Sequence, residues 1–162
     1  MVFSADHSDA PTAGPVSQPG SSAQGHQCLD ISVVVCTRNR AESLRQLLEC
    51  FARDQQDGIA FEIVIVDNGD AESTREVVSS FSSVMSIRCL LEARPGKCHA
   101  LNRALDEGGL GEIVAVLDDD LTLEPGWLRG VKAGCEKWPE HDIFSGRSYV
   151  VFPENVPIPD WA

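Results

Sequence analysis

The chain has 162 residues, enough for one domain with a real core and too few for two ordinary ones. Its 43% hydrophobic and 23% charged content is that of a globular protein. A net charge of −12 argues against nucleic acid or an anionic bilayer as partner, since a polyanion needs a basic face.

Eighteen of the first 27 residues are Ser, Ala, Pro, Gly or Gln, and Phe3 is the one aromatic. Such a segment cannot bury enough apolar surface to offset its ordering entropy, so residues 1–27 are expected to be a disordered leader. The folded part then runs from Cys28 to Ala162. The leader has neither a basic start nor an apolar signal core, which predicts a cytoplasmic chain, in the cytosol or at the inner face of the membrane. Ile31–Cys36 is the longest clear apolar run, far short of a transmembrane segment.

"ISVVV" (31–35) reads as a buried strand from its β-branched run. "AESLRQLLECFAR" (41–53) reads as an amphipathic helix, with Leu44, Leu47, Leu48 and Phe51 at i, i+3, i+4 and i+7. A second strand is predicted over 61–66, a second and weaker helix over 71–81, and a third strand over 85–91. A helical run follows at 97–107, then a fourth strand at 112–117 and a fourth helix at 124–137. "DIFSGRSYVVF" (142–152) predicts a last strand. The six cysteines (28, 36, 50, 89, 98 and 135) form no CxxC pair and no metal-ligand spacing, so reduced thiols are expected.

Alternating strands and helices predict βαβ units, hence an α/β fold with a mostly parallel sheet and helices on both faces. Ligands of such sheets bind outside the carboxyl ends of the strands. The polar clusters follow that rule: "CTRNR" (36–40) ends strand one, "DNGD" (67–70) strand two, "EARPGK" (92–97) strand three and "DDD" (118–120) strand four. Scattered surface charge would fall on both edges of the sheet.

Three consecutive acids at a strand end raise an electrostatic question. Two like charges ~5 Å apart repel by about 3 kcal/mol at an effective dielectric of ~20, so Asp118, Asp119 and Asp120 should not crowd together unless a cation holds them. Carboxylates suit a hard divalent ion such as Mg²⁺ or Mn²⁺. Arg38, Arg40, Arg94 and Lys97 suit phosphate oxygens, and Asp67 is placed to accept hydrogen bonds from a base or ribose. Metal, phosphate and nucleoside together describe a nucleotide diphosphate. A dinucleotide-binding G-x-G-x-x-G is missing after strand one, and so is a Walker-type G-x-x-x-x-G-K-[ST].

The segments "ISVVVCTRNRAESLRQLLECF", "FEIVIVDNGD", "RPGKCHALNRAL" and "GEIVAVLDDDLTLEPGWL" together resemble the family 2 glycosyltransferases, which have the Rossmann-like GT-A fold. Four motifs in the right order carry the resemblance, from about Asp30 to the "SGRSYVV" segment. It implies transfer of a sugar from a nucleotide-diphosphate donor, a UDP-sugar foremost, to an acceptor the sequence does not name, with Mn²⁺ or Mg²⁺ as cofactor. Residue by residue, it places Thr37, Asn39 and Arg40 in the nucleotide pocket and Asp67 against the base. Lys97 becomes a donor-side contact, and Asp118, Asp119 and Asp120 match the family's D-x-D motif. Asp118 and Asp119 then belong to the nucleotide-sugar site, and Asp118 and Asp120 to the metal.

Each residue also has a structural reading. Thr37 and Asn39 could cap the helix after them, Asp67-Asn68-Gly69 could be an ordinary turn, His99 could lie on a helix surface, and Trp127 and Trp138 could be core. Family domains continue well past the equivalent of Ala162, into the half that holds the acceptor pocket and the carboxylate base. The chain is therefore expected to be a truncated, donor-binding half, with its catalytic base elsewhere and apolar surface free for self-association. A non-catalytic nucleotide-sugar-binding module or inactive remnant is the alternative. A sugar-1-phosphate nucleotidyltransferase would need a Gly-rich loop after strand one, which this chain lacks.

Overall fold

The computed structural model describes residues 2–4, 29–54 and 58–151. The strands are β1 (Val2–Ser4), β2 (Ile31–Thr37), β3 (Phe61–Asp67), β4 (Ile87–Leu91), β5 (Ile113–Asp118) and β6 (Ile143–Phe144). Helices α1 (Ala41–Arg53), α2 (Glu72–Phe81), α3 (Lys97–Glu107) and α4 (Trp127–Lys137) connect or follow them. One sheet has the order β4-β3-β2-β5-β1-β6, and its first four strands run parallel.

Period-two alternation along the strands sorts side chains to two faces. Ile31, Val33, Val35, Ile63 and Ile65 point to one face, where they pack with Leu44, Leu47, Leu48 and Phe51 of α1, Val77 and Val78 of α2 and Leu128 of α4. The four α1 side chains each gain about 1.5–3 kcal/mol from burial before entropy is counted, which is why this helix forms over its predicted span. The opposite face carries Val34, Val64, Val66 and Val114, covered by Ala100 and Ala104 of α3. Small residues on α3 let that helix lie close to the sheet.

Several boundaries move. Helix α4 begins at Trp127 and not at 124, because Gly126 takes a left-handed conformation (φ 81°) and its N–H is held by the Asp54 carboxylate at 2.7 Å. The last predicted strand shrinks to Ile143–Phe144 within the described residues, and residues 152–162 lie outside them. Trp127 packs into the core, edge-on to Phe51, whereas Trp138 is 43% exposed beneath the Lys137 ammonium.

The expected leader needs a correction at three residues. Val2–Ser4 pair antiparallel with β5, and Val2 and Phe3 also with β6, so that Phe3 lies opposite Val114 and Ile143. A β-prone triplet adds to a sheet edge whose N–H and C=O groups would otherwise be open. The rest of the expected leader, residues 5–27, lies outside the described residues.

Candidate functional site

The registers bring the strand ends to one level: Thr37 lies opposite Asp67, Cys36 opposite Asp118, and Asp67 opposite Leu91. All four polar loops therefore emerge on the same edge. Between them opens a cleft of about 450 Å³ lined by Cys36, Thr37, Arg38, Arg40, Asn68 and Lys97, with Gly96, Ala100, Asp118 and Asp119 completing it. A second hollow of about 260 Å³ adjoins it, with Arg38 and Asn68 in both walls and Asn39 and Asp70 on its far side.

Two basic side chains and one hydroxyl satisfy the three acids, and this relieves their crowding. Asp119 is buried; it accepts from Thr37 Oγ1 at 2.7 Å and from Arg40 Nη1 at 3.1 Å. Asp120 is exposed and shares the same Arg40 nitrogen at 3.0 Å. Asp118, also exposed, accepts from the Lys97 ammonium. Those hydrogen bonds raise the pKa of both cations, Arg40 chiefly through Asp119 and Lys97 chiefly through Asp118. Burial pushes the Cys36 thiol up to about 11, so at neutral pH the cleft wall carries a neutral thiol.

Thr37 does not cap α1, which has no side-chain cap; its hydroxyl serves Asp119. Asn39, left-handed at φ 55°, sits where its Oδ1 would be 2.4 Å from a Cβ on Gly69, so the first two loops touch through a position only glycine fits. Asp67 is 1% exposed and lines neither hollow: its oxygens accept the Gly69 and Ala71 N–H groups at 2.9 and 3.0 Å, the turn anticipated for "DNG". Arg94, expected among the phosphate ligands, is held by Glu92 through Nε and Nη2, both at 3.0 Å. His99 is exposed on α3.

Sequence reasoning missed Asn68. Its amide donates to the Glu92 and Arg94 carbonyls, both at 2.7 Å, and accepts the Gly96 N–H at 2.8 Å. One side chain thereby joins the loop after β3 to the loop after β4 and to the start of α3. Helix α3 has no side-chain cap and no acid in its first turn, so its positive end opens beside the cleft.

Among the described residues no group of three or more His, Cys, Asp or Glu is arranged to hold an ion. The donor set nevertheless fits a hard cation. Mg²⁺ is commonly held by one or two carboxylates together with substrate phosphates, and Asp118 and Asp120 are exposed oxygen donors, each already stabilising a positive charge.

A sequence model of the family described as "Glycosyl transferase family 2" matches residues 32–160. A glucosyl-dolichyl phosphate glucuronosyltransferase of Haloferax volcanii is 29% identical over 137 residues, covering 82% of this chain and 40% of the relative. The structure of S. aureus TarS 1–349 in complex with UDP-GlcNAc superposes with a TM-score of 0.58 and 25% identity, over 67% of this chain and 32% of that one. The mannosyltransferase PcManGT of Pyrobaculum calidifontis, in complex with GDP-Man and Mn²⁺, gives 0.56 and 28%, over 66% and 32%. These neighbours share the GT-A architecture with the chain. The chain spans between 12% and 40% of the length of the curated relatives it matches.

Proposed function

From the premise that this chain belongs to glycosyl transferase family 2, we propose that it binds a nucleoside-diphosphate sugar, a UDP-sugar foremost, as the donor for sugar transfer. The observation that carries this reading is the convergence, around one cleft of about 450 Å³, of Thr37, Arg38, Arg40, Lys97, Asp118 and Asp119. The diphosphate lies between Lys97, Arg40 and the uncapped start of α3, where cationic donors and free N–H groups favour phosphate oxygens. The nucleoside extends toward Asn39 and the loop that Asp67 holds. Asp118 and Asp119 complete the donor site.

Asp118 and Asp120 would hold Mn²⁺ or Mg²⁺. Bound there, such an ion supplies charge stabilisation to the departing nucleoside diphosphate. The solved complexes of relatives with UDP-GlcNAc, and with GDP-Man and Mn²⁺, support this reading. The acceptor and the base that deprotonates it are left unassigned. A cytoplasmic setting is proposed as well. Five described cysteines (36, 50, 89, 98 and 135) are free, as a reducing compartment would keep them. Among the described residues no helix is long and apolar enough to cross a membrane.

Calorimetric titration with UDP, GDP and CDP, with and without Mn²⁺, tests the proposal. One diphosphate should bind with Mn²⁺ and lose at least tenfold in affinity without it. Asp120→Ala should abolish the metal dependence, and Asp67→Ala should weaken nucleoside recognition while leaving that dependence in place. Failure of every nucleotide to bind, or binding that ignores Asp120, would leave Asp118 and Asp120 as solvated loop acids and Asp119 as a buried structural one. A bound UDP-sugar that the chain never hydrolyses or transfers would favour a binding module over an enzyme.

A further inference from the structure

The two acids assigned to the cation are already occupied by basic side chains of the same cleft. Lys97 bonds Asp118, and Arg40 bridges Asp119 and Asp120 through one nitrogen. Neither cation is locked in place: the side chains of Lys97 and Arg40 are 54% and 56% exposed, and both line the cleft. Asp119 differs from its neighbours. Its side chain is 7% exposed, and a second oxygen, not the one facing Arg40, accepts from the Thr37 hydroxyl.

Asp118, Asp119 and Asp120 engage Lys97 and Arg40 in the empty cleft, and Arg38, which also lines it, brings the cluster to neutrality, so two of its three cations reach a diphosphate only by leaving an acid. A divalent ion on Asp118 would share that carboxylate with the Lys97 ammonium, and like charges at contact distance repel even where both side chains are solvent-exposed. Lys97 therefore leaves Asp118, and Arg40 leaves Asp120, as the acids take the ion. The nearest new anion for both is the diphosphate.

Resting on the donor-binding reading above, we infer that Lys97 and Arg40 are exchangeable counter-ions. They neutralise the strand-end acids while the cleft is empty and pass to the phosphate oxygens when a divalent cation and nucleotide enter. Lys97 thus opposes the metal when it binds alone and favours the nucleotide once the metal is present. Because binding couplings are reciprocal, the two roles appear as one positive cooperativity between Mn²⁺ and the diphosphate.

The opposite signs of the two roles make the test. Free Mn²⁺ gives a paramagnetic resonance signal that disappears on binding, so affinity for the metal alone is measurable on the 162-residue chain without any turnover. Lys97→Met should bind Mn²⁺ alone about two- to fivefold more tightly than wild type, the range that an exposed ion pair's contribution converts to. The same variant should bind UDP in saturating Mn²⁺ at least tenfold more weakly, and Lys97→Arg should restore both values. Lys97→Gln replaces the Met variant if the latter fails to fold by circular dichroism. Wild-type binding of UDP with Mn²⁺, combined with unchanged or weaker metal binding in Lys97→Met or Lys97→Gln, would overturn the exchange and leave the donor site standing. Loss of nucleotide binding in wild type itself would instead remove the donor-binding reading on which the exchange rests.

Discussion

Glu92, just past the end of β4, has a side chain only 7% exposed, and its carboxylate is gripped by Arg94 through both the guanidinium and the backbone N–H. These bonds hold its pKa well below the usual carboxyl range, at about 2. An unfolded Glu titrates near ~4.3, so the pair's contribution to stability is complete above that pH and is lost as pH falls toward 2. Urea midpoints measured from pH 5 to pH 2.5 should show wild type losing stability more steeply than Glu92→Gln, which has no proton to take up. Parallel pH profiles would mean that the pair contributes nothing. Single residues were also where the sequence was least legible. Arg94 read as a phosphate ligand because composition shows a charge but not its partner, and that partner, two positions earlier, was one more acid in a polar run. Asn68 read as a turn residue because its three bonds reach backbone groups 24 to 28 residues away, which no local pattern encodes.

At the scale of elements, that asparagine sets how two loops and a helix meet. Asn68→Ala removes three bonds at once and leaves one buried and one part-buried carbonyl without that donor, a loss of about 2–4 kcal/mol on the usual scale of such bonds. Chemical denaturation should register that loss. Amide exchange should accelerate selectively at Gly96 and through the first turn of α3, while β2 and α1 keep wild-type protection. Uniform acceleration over the domain would show that Asn68 serves the core and not the loops. The elements themselves were largely legible. Helices α1 and α3 occupy their predicted spans, and β2 to β5 fall within two residues of theirs, because buried faces repeat at fixed periods. The exceptions share a cause in long-range pairing: β1 is held by its pairing with β5 and β6, and residues 145–151, which end in Tyr149-Val150-Val151, have no ladder to join among the described residues. The candidate site followed from the elements, since four strand ends at one level necessarily gather their loops, and that much followed from topology alone.

Across the whole molecule, two opposed terms govern behaviour at high concentration. Tyr149, Val150 and Val151 are 73%, 80% and 87% exposed, and Ile143 nearby in sequence is 58% exposed, so one stretch of chain offers apolar surface to water. Contact between two such stretches is favoured at roughly 25 cal/mol per Å² removed from water, a term that salt does not screen. The net charge of −12 on each copy opposes it, and that repulsion is screened: the Debye length falls from ~30 Å at 0.01 M to ~10 Å at 0.1 M and ~3 Å at 1 M salt. Self-association should therefore grow with ionic strength, the reverse of an assembly built on complementary charge. Sedimentation equilibrium in 20 mM and 500 mM NaCl should give a monomer in the first and a concentration-dependent rise in mass in the second. Val150→Glu with Val151→Glu should return the chain to a monomer at both, by removing apolar contact and adding repulsion together. A monomer in all conditions would show that this stretch packs on nothing in a second copy, whereas association that weakens with salt would place the contact on charged residues elsewhere.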